Sequence, residues 1–265
     1  MVVNVYRYFI SQYPTFGSYK KPKPYLVEAS PYFWWWYALT LNKTYSCLCD
    51  LHDSESLLTD SETDFPEAML QVYKDFGDVR YEGCRYRAFA KWWRERVDTG
   101  ETRGEYLFAE PKVEPAASRI VKEAEINAAI QCLDTIIISV NVKHQRQHID
   151  AAISRILKRS LITTKGRKVR NPESSAARYH LPKSFNISAL KKTFRVYELR
   201  IEGERSGKQI TNYKIADMVG LSSKSDNIEI KDAAYENRKK SVQVSRHYRM
   251  ANDIIDSVGC GGFVF

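Results

Sequence analysis

Six aromatic residues follow one another without interruption at Tyr32–Tyr37, and this run restricts the possible folds more than any other feature of the sequence. The serine–proline pair at 30–31 places a capping residue and a first-turn proline directly before it, which predicts a helix over about 31–41. Two more helices are predicted over about 66–76 and 86–97, the second of them with aromatic residues at helical spacing. Aromatic residues at such positions are most often buried, so the first half predicts a helical domain with an aromatic core.

The aromatic run also allows a second interpretation, in which it forms a surface for a partner. A stacking platform for single-stranded bases normally has cations between its rings. Residues 1–117 instead contain 14 Lys and Arg against 17 Asp and Glu, a net charge of −3. The partner expected of an exposed aromatic half is therefore a second copy of the chain, giving a homo-oligomer, or another protein.

Charge divides the chain near a Pro- and Ala-containing stretch at 109–118. Residues 118–265 carry 27 Lys and Arg against 15 Asp and Glu, a net charge of +12, so the overall charge of +9 belongs to the second half. This asymmetry is typical of a chain in which one part meets a polyanion and another part does something else. We expect a slightly acidic, aromatic helical domain over 1–117, a connecting strand–helix region over 118–187 and a basic domain over 188–265.

Composition excludes several classes of protein. A hydrophobic fraction of 43% with 12% aromatic residues is too high for a disordered chain. No uncharged apolar run approaches the roughly 18 residues of a membrane span, and no secretion signal opens the sequence, so we expect no membrane partner. Five cysteines, an odd number without a regular framework, favour a reducing, cytoplasmic location.

Metal-binding and catalytic motifs are weak in this sequence. The weak candidates for a zinc site are Cys47, Cys49, His52 and Cys84. They supply one ligand pair instead of two and lack the usual spacing, so free thiols are favoured over a metal. The sequence contains no Asp-x-Asp pair of the kind found in metal-dependent nucleases, and no supported arrangement of a nucleophile with a histidine. We therefore expect neither an enzyme nor a cofactor.

The middle of the chain combines a predicted strand, a helix and a basic loop. The β-branched run predicts a strand over about 135–142, and the apolar periodicity after it predicts a helix over about 145–160. Seven cations and no acidic residue lie between positions 155 and 170, and they form either a phosphate clamp or a solvated loop. The residues expected to contact DNA phosphates here are Arg155, Lys158, Arg159, Lys165, Arg167, Lys168 and Arg170.

The sequence at 209–222 has the pattern of the first helix and turn of a helix-turn-helix, and a predicted helix precedes it. Ala216 is small enough for a close helix crossing, and Gly220 accepts the positive φ that a tight turn needs. Leu221 follows as an apolar residue that packs back against the helices. These three are the structural residues of the expected motif.

A long helix is predicted from just after Asp232 to about Val258, with an apolar stripe on one side. Its opposite side carries cations and an amide, the groups that hydrogen-bond base edges and phosphates in a major groove. The expected base contacts are Lys239, Gln243, Arg246 and Arg249, and the expected phosphate contacts on this helix are Arg238, Lys240 and Ser245.

Two further features extend this pattern towards the end of the chain. A short strand is predicted around 228–230, and a glycine-rich turn at 259–262 leads to an apolar segment with the pattern of a wing strand. Residues 188–265 therefore resemble the helix-turn-helix and winged-helix regulators of phages and other mobile elements. The resemblance implies an α+β, mainly helical fold whose C-terminal module binds specific sequences of double-stranded DNA and regulates transcription. The alternative is a nucleic-acid-binding subunit of a defence or transposition complex that does not read bases.

Overall fold

In the computed structural model of this chain, every regular element among the described residues is an α-helix. The residues described are 9, 15–18, 20–53, 65–110, 126–127, 136–160, 175, 177–181, 185–221 and 233–265. The helices are α1 (Pro24–Glu28), α2 (Pro31–Leu41), α3 (Lys43–Asp53), α4 (Glu67–Phe76), α5 (Arg85–Arg94), α6 (Arg103–Phe108), α7 (Arg146–Ser160), α8 (Ile187–Arg205), α9 (Asn212–Val219) and α10 (Ala233–Gly259). The β contacts within these residues are two isolated bridges, Gly17–Pro22 and Arg96–Thr102. The expected α+β class, with a winged-helix module, is therefore wrong, and the described fold is helical.

The strand expected over 135–142 is one source of this error. The described part of it, 136–142, contains no strand, and its Ile136, Ile137 and Val140 are 40–44% exposed. β-branched residues stabilise a strand only where a neighbouring strand completes the backbone hydrogen bonds, and the described residues provide none here.

The wing strand expected at the end of the chain is the other source. The Gly262 N–H donates to the Ser257 carbonyl at 2.9 Å, which ends α10 in a tight turn. Phe263 is then buried in the core and stacks on Trp35 with 5.2 Å between ring centroids. The segment after the turn therefore packs against the helices and does not pair as a strand. The strand expected around 228–230 lies outside the described residues.

The chain divides into two compact units. One unit contains residues 1–112 together with 171–265, and the other contains residues 113–170. The aromatic helices of the first half and the helices α8 and α10 of the second half therefore belong to the same unit and share one core. In the other unit α7 carries a half-buried apolar stripe that includes Ile149, Ile153 and Leu157.

Helix α2 occupies the centre of the main core. It begins and ends at the positions that the sequence predicts, and all residues from Pro31 to Leu39 are buried. Trp34 stacks on Phe194 of α8 at 5.2 Å between ring centroids. A helix that is apolar on all sides is stable only when it is surrounded by other elements. The predicted aromatic core is confirmed, and the side chains of Tyr32–Tyr37, at 0–4% exposure, are unavailable as a surface for oligomerisation or a partner.

A polar cluster joins the first-half helices to α8 at the edge of this core. The Tyr37 hydroxyl donates to Glu198 Oε1 at 2.7 Å, and the Arg85 guanidinium forms an ion pair with the same carboxylate. Burial alone would raise the pKa of Glu198, but the hydrogen bond from Tyr37 and the charge of Arg85 outweigh it and hold this pKa below its ordinary value. The carboxylate is therefore charged at neutral pH and pairs with Arg85 across the two halves of the sequence.

This cluster predicts an acid dependence of stability. A carboxylate with a depressed folded-state pKa contributes stability above its unfolded pKa of about 4.3, and this contribution disappears as the pH falls through the folded pKa. We expect Glu198→Gln to lower the free energy of unfolding at pH 7 by about 1–2 kcal/mol, and the difference from wild type to shrink below about pH 4. Urea titrations across this range measure it. Glu202→Gln, at an exposed glutamate one turn along α8, is the matched control, and an equal pH profile for both variants would contradict the assignment.

Candidate nucleic-acid interface

Helices α8, α9 and α10 pack around a small core of their own, next to the aromatic one. Its fully or almost fully buried members are Val196, Leu199, Ile215, Ala216, Leu221 and Val244. They come from all three helices and from the turn after α9, so each helix is fixed against the other two. Ala216 is 0% exposed, in agreement with its expected place at a close helix crossing.

The turn after α9 has the hydrogen bonds of a Schellman motif. Gly220 has a left-handed conformation with φ +68°, and its N–H donates to the Asp217 carbonyl at 3.2 Å. The Leu221 N–H donates to the Ala216 carbonyl at 2.8 Å, and the Leu221 side chain is buried. The Lys192 side chain of α8 donates to the Gly220 carbonyl at 3.1 Å. The structure therefore brings together the three residues that the sequence assigns to the turn, while residues 222–232 lie outside the described part of the chain.

Helix α10 is held near its C-terminus and again within its N-terminal third. Near its C-terminus, the Asn42 side chain donates to the Ile255 carbonyl at 2.7 Å, and the apolar stripe of this half enters the aromatic core. Near its N-terminus, Lys240 forms an ion pair with Asp217 of α9, with 2.5 Å between Nζ and Oδ1. These contacts fix the axis of the helix and its rotation about that axis.

A further contact fixes α10 to α8 in the middle of its length. His247 Nδ1 lies 2.8 Å from the hydroxyl oxygen of the buried Thr193. The pKa of His247 lies below its ordinary value, mainly because the imidazole is partly buried and also because of the positive charge of the nearby Lys192. The imidazole is therefore neutral at physiological pH, and it contributes a hydrogen bond but no charge.

The four expected base contacts lie on one side of α10. Arg246 and Arg249 are exposed, whereas Lys239 and Gln243 are half-buried at the flank of the helix. The Lys239 ammonium lies 4.6 Å from the centroid of the Tyr235 ring. At 100° per residue the four side chains cover about 120° of the helix circumference. Neither Arg246 nor Arg249 has an ion-pair partner among the residues that the structure describes.

The expected phosphate contacts lie on α10, on α7 or at positions whose side chains the structure does not describe. Arg238 and Ser245 are exposed on the outer side of α10, whereas Lys240 is engaged with Asp217 and stabilises the packing of α9 on α10. Arg155 and Lys158 are exposed on α7, in the other compact unit. The remaining positions, which lie outside the described residues or have no described side chain, are Arg159, Lys165, Arg167, Lys168 and Arg170.

Comparison with known proteins adds no relative. No protein-family model, curated protein or solved structure matches this chain. In addition, none of the described helices is both long enough and apolar enough to cross a lipid bilayer.

Two further exposed residues of α10, Tyr235 and Val242, were not among the site residues predicted from the sequence. Both lie on the exposed side of α10, at 54% and 46% exposure. Val242 is two residues from the buried Val244, and residues two apart on a helix point about 160° away from each other. Its position outside the apolar stripe is the signal that could have identified it, because a stripe with a period of 3.6 residues excludes it from the core.

The weak zinc candidates do not come together. Among the residues that the structure describes, no three metal-ligating side chains are close enough to hold an ion. Cys47 and Cys84 are exposed, and His52 stacks on Tyr73 with 4.2 Å between ring centroids. Cys49 is buried, and this burial, together with the smaller effect of the Asp78 charge, raises the pKa of its thiol to about 12. The thiol is therefore protonated and unreactive at neutral pH.

Proposed function

We propose that this chain is a sequence-specific double-stranded DNA-binding protein, acting in the cytoplasm as a transcriptional regulator of a phage or mobile element. The observation that carries this proposal is the outer face of α10, where Arg238, Arg246 and Arg249 are exposed on a helix held at Ile255 and at Lys240. Arginine forms bidentate hydrogen bonds with guanine and ion pairs with phosphates, so these groups suit DNA better than a neutral ligand.

The charge along α10 also indicates which part of it would meet DNA. Its outer face is cationic up to Arg249 and then carries the exposed carboxylates Asp253 and Asp256. Phosphates repel nearby carboxylates. The B-DNA major groove is about 12 Å wide and admits one helix. We therefore place the part of α10 up to Arg249 in the groove and the part from Asp253 onwards outside the duplex.

A selection experiment tests this function directly. The purified full chain is used to enrich a pool of random-sequence duplexes at two salt concentrations. We expect one short sequence to be enriched, and its affinity to fall steeply with salt because counterions are released from the contacted phosphates. Failure to enrich any sequence, at either salt concentration, would rule out sequence-specific binding.

Arg246 provides the sharpest mutational prediction for this interface. We expect Arg246→Ala to weaken binding to the enriched duplex by about 1–3 kcal/mol, or roughly 5- to 150-fold, and to relax the base preference at one position. Arg87→Ala removes the same charge from an exposed position on α5 and is the matched control. Equilibrium titrations with the enriched duplex and a scrambled one measure both effects. A uniform loss on both duplexes would instead mean that Arg246 contacts only the backbone.

The second candidate is a subunit of a nucleoprotein complex that holds nucleic acid without reading bases. The basic helix α7 favours it, because Arg155 and Lys158 are exposed there in a compact unit separate from α10. Equal affinity for the enriched and the random duplexes, or for DNA and RNA, would support this candidate over the first.

A further inference from the structure

Val242 lies at the centre of the exposed face of α10. On a helix, residues three, four and seven positions apart are neighbours on the surface. Around Val242 these positions are Tyr235, Arg238, Lys239, Ser245, Arg246 and Arg249. An apolar side chain that is 46% exposed is therefore surrounded by four cations, a hydroxyl and a phenol, and none of these neighbours is a carboxylate.

This arrangement has no structural explanation within the described residues. A β-branched residue in the middle of a helix is less favourable than alanine by several tenths of a kcal/mol, because its rotamers are restricted. Val242 is on the side opposite the core stripe that contains Val244 and Ala251, so packing provides little compensation. A ligand that covers the surrounding cations would also bury the two methyl groups of Val242.

The chemistry of the major groove offers one apolar group to such a side chain. Among the base edges in the groove, only thymine presents a methyl group, on its C5 atom. We propose that Val242 contacts the 5-methyl group of a thymine and makes α10 specific for that base, next to the bases contacted by Arg246 and Gln243. This proposal rests on the proposed function and deepens it. It also selects DNA over RNA, because uracil lacks the methyl group and the deep, narrow major groove of A-form RNA excludes side chains.

The test uses the full chain and the duplex enriched by selection. Each thymine is replaced in turn by deoxyuridine, which removes only the methyl group. We expect one or two positions to lose affinity about fourfold, which corresponds to ~0.8 kcal/mol for one buried methyl group. Val242→Ala should lose a similar factor on the unmodified duplex, and it should no longer distinguish thymine from uracil at that position.

Val264→Ala is the matched control for this experiment. It makes the same substitution at an exposed valine, 62% accessible, beyond the C-terminal end of α10, and should retain the wild-type discrimination. Equal wild-type affinity for all the thymine and uracil duplexes would overturn this inference and leave DNA binding intact. Discrimination that persists in Val242→Ala would also overturn it, because another side chain would then contact the methyl group. A selection that enriches no duplex would instead overturn the proposed function.

Discussion

Replacement of Trp35 by alanine is expected to lower the free energy of unfolding by about 3–5 kcal/mol, the largest effect that we predict for one side chain. Trp35 is 0% exposed, and its ring contacts Phe76, Phe108, Tyr179 and Phe263. These neighbours come from both halves of the sequence. The cavity left by the Trp35→Ala substitution would therefore lie where the two halves of the sequence pack together. A loss of this size is a large fraction of the roughly 5–15 kcal/mol that stabilises a typical domain.

Urea titration followed by far-UV circular dichroism measures this loss, with two variants for comparison. Tyr25→Ala removes an aromatic ring that is 61% exposed and should change stability by less than about 0.5 kcal/mol. Trp35→Phe keeps most of the apolar volume and removes an indole N–H that is buried without a hydrogen-bond acceptor among the described residues, so it should cost much less than alanine. If Trp35→Ala and Tyr25→Ala proved equally stable, α2 would not be the centre of the core.

Gly104→Ala is expected to destabilise the protein by about 2–3 kcal/mol, although alanine is the better helix former by about 1 kcal/mol. A Cβ atom on Gly104 would lie 2.2 Å from the Cδ2 and Cε2 atoms of Trp93. The Trp93 ring cannot move aside easily, because it is buried and stacks on Phe108 with 6.0 Å between ring centroids. The added methyl group therefore forces α6 away from α5.

A second glycine provides the control for this steric effect. At Gly262 an added Cβ would be 3.5 Å from its nearest neighbour, the Ser257 carbonyl oxygen, which is an ordinary contact distance. We expect Gly262→Ala to be neutral within about 0.5 kcal/mol or slightly stabilising, because it restricts the unfolded chain. Thermal unfolding of the two variants side by side would contradict the prediction if their midpoints decreased equally.

Local signals predicted most of the helices correctly. The bounds of α2 agree with the prediction because Pro31 fixes its first turn, and α4 ends at Gly77, whose φ of +68° favours glycine. Helices α1, α3 and α6 were not predicted from the sequence, although Thr102 and Glu105 form a capping box at the start of α6. These helix starts and ends depend on residues a few positions apart, so they can be predicted from the sequence alone.

Non-local features could not be obtained in the same way. The strand expected over 135–142 requires a pairing strand elsewhere in the chain, which local β propensity does not provide. The charge asymmetry separated the two halves of the chain, but charge describes surfaces, and the buried contact between Trp34 and Phe194 joins those halves in one core. In the interface, periodicity predicted the cationic side of α10 but not the exposed apolar Val242 at its centre.

The two attachments of α10 matter because the helix is long. About 25 Å of helix separates Ile255, held by Asn42 beside the aromatic core, from Arg238 on the outer face. With the Ile255 attachment alone, a tilt of about 2° would displace Arg238 by roughly 1 Å, which exceeds the tolerance of about 0.5 Å within which a binding group must be held. The packing of the aromatic core and the Lys240–Asp217 ion pair therefore limit the tilt of α10 and fix the positions of its arginines.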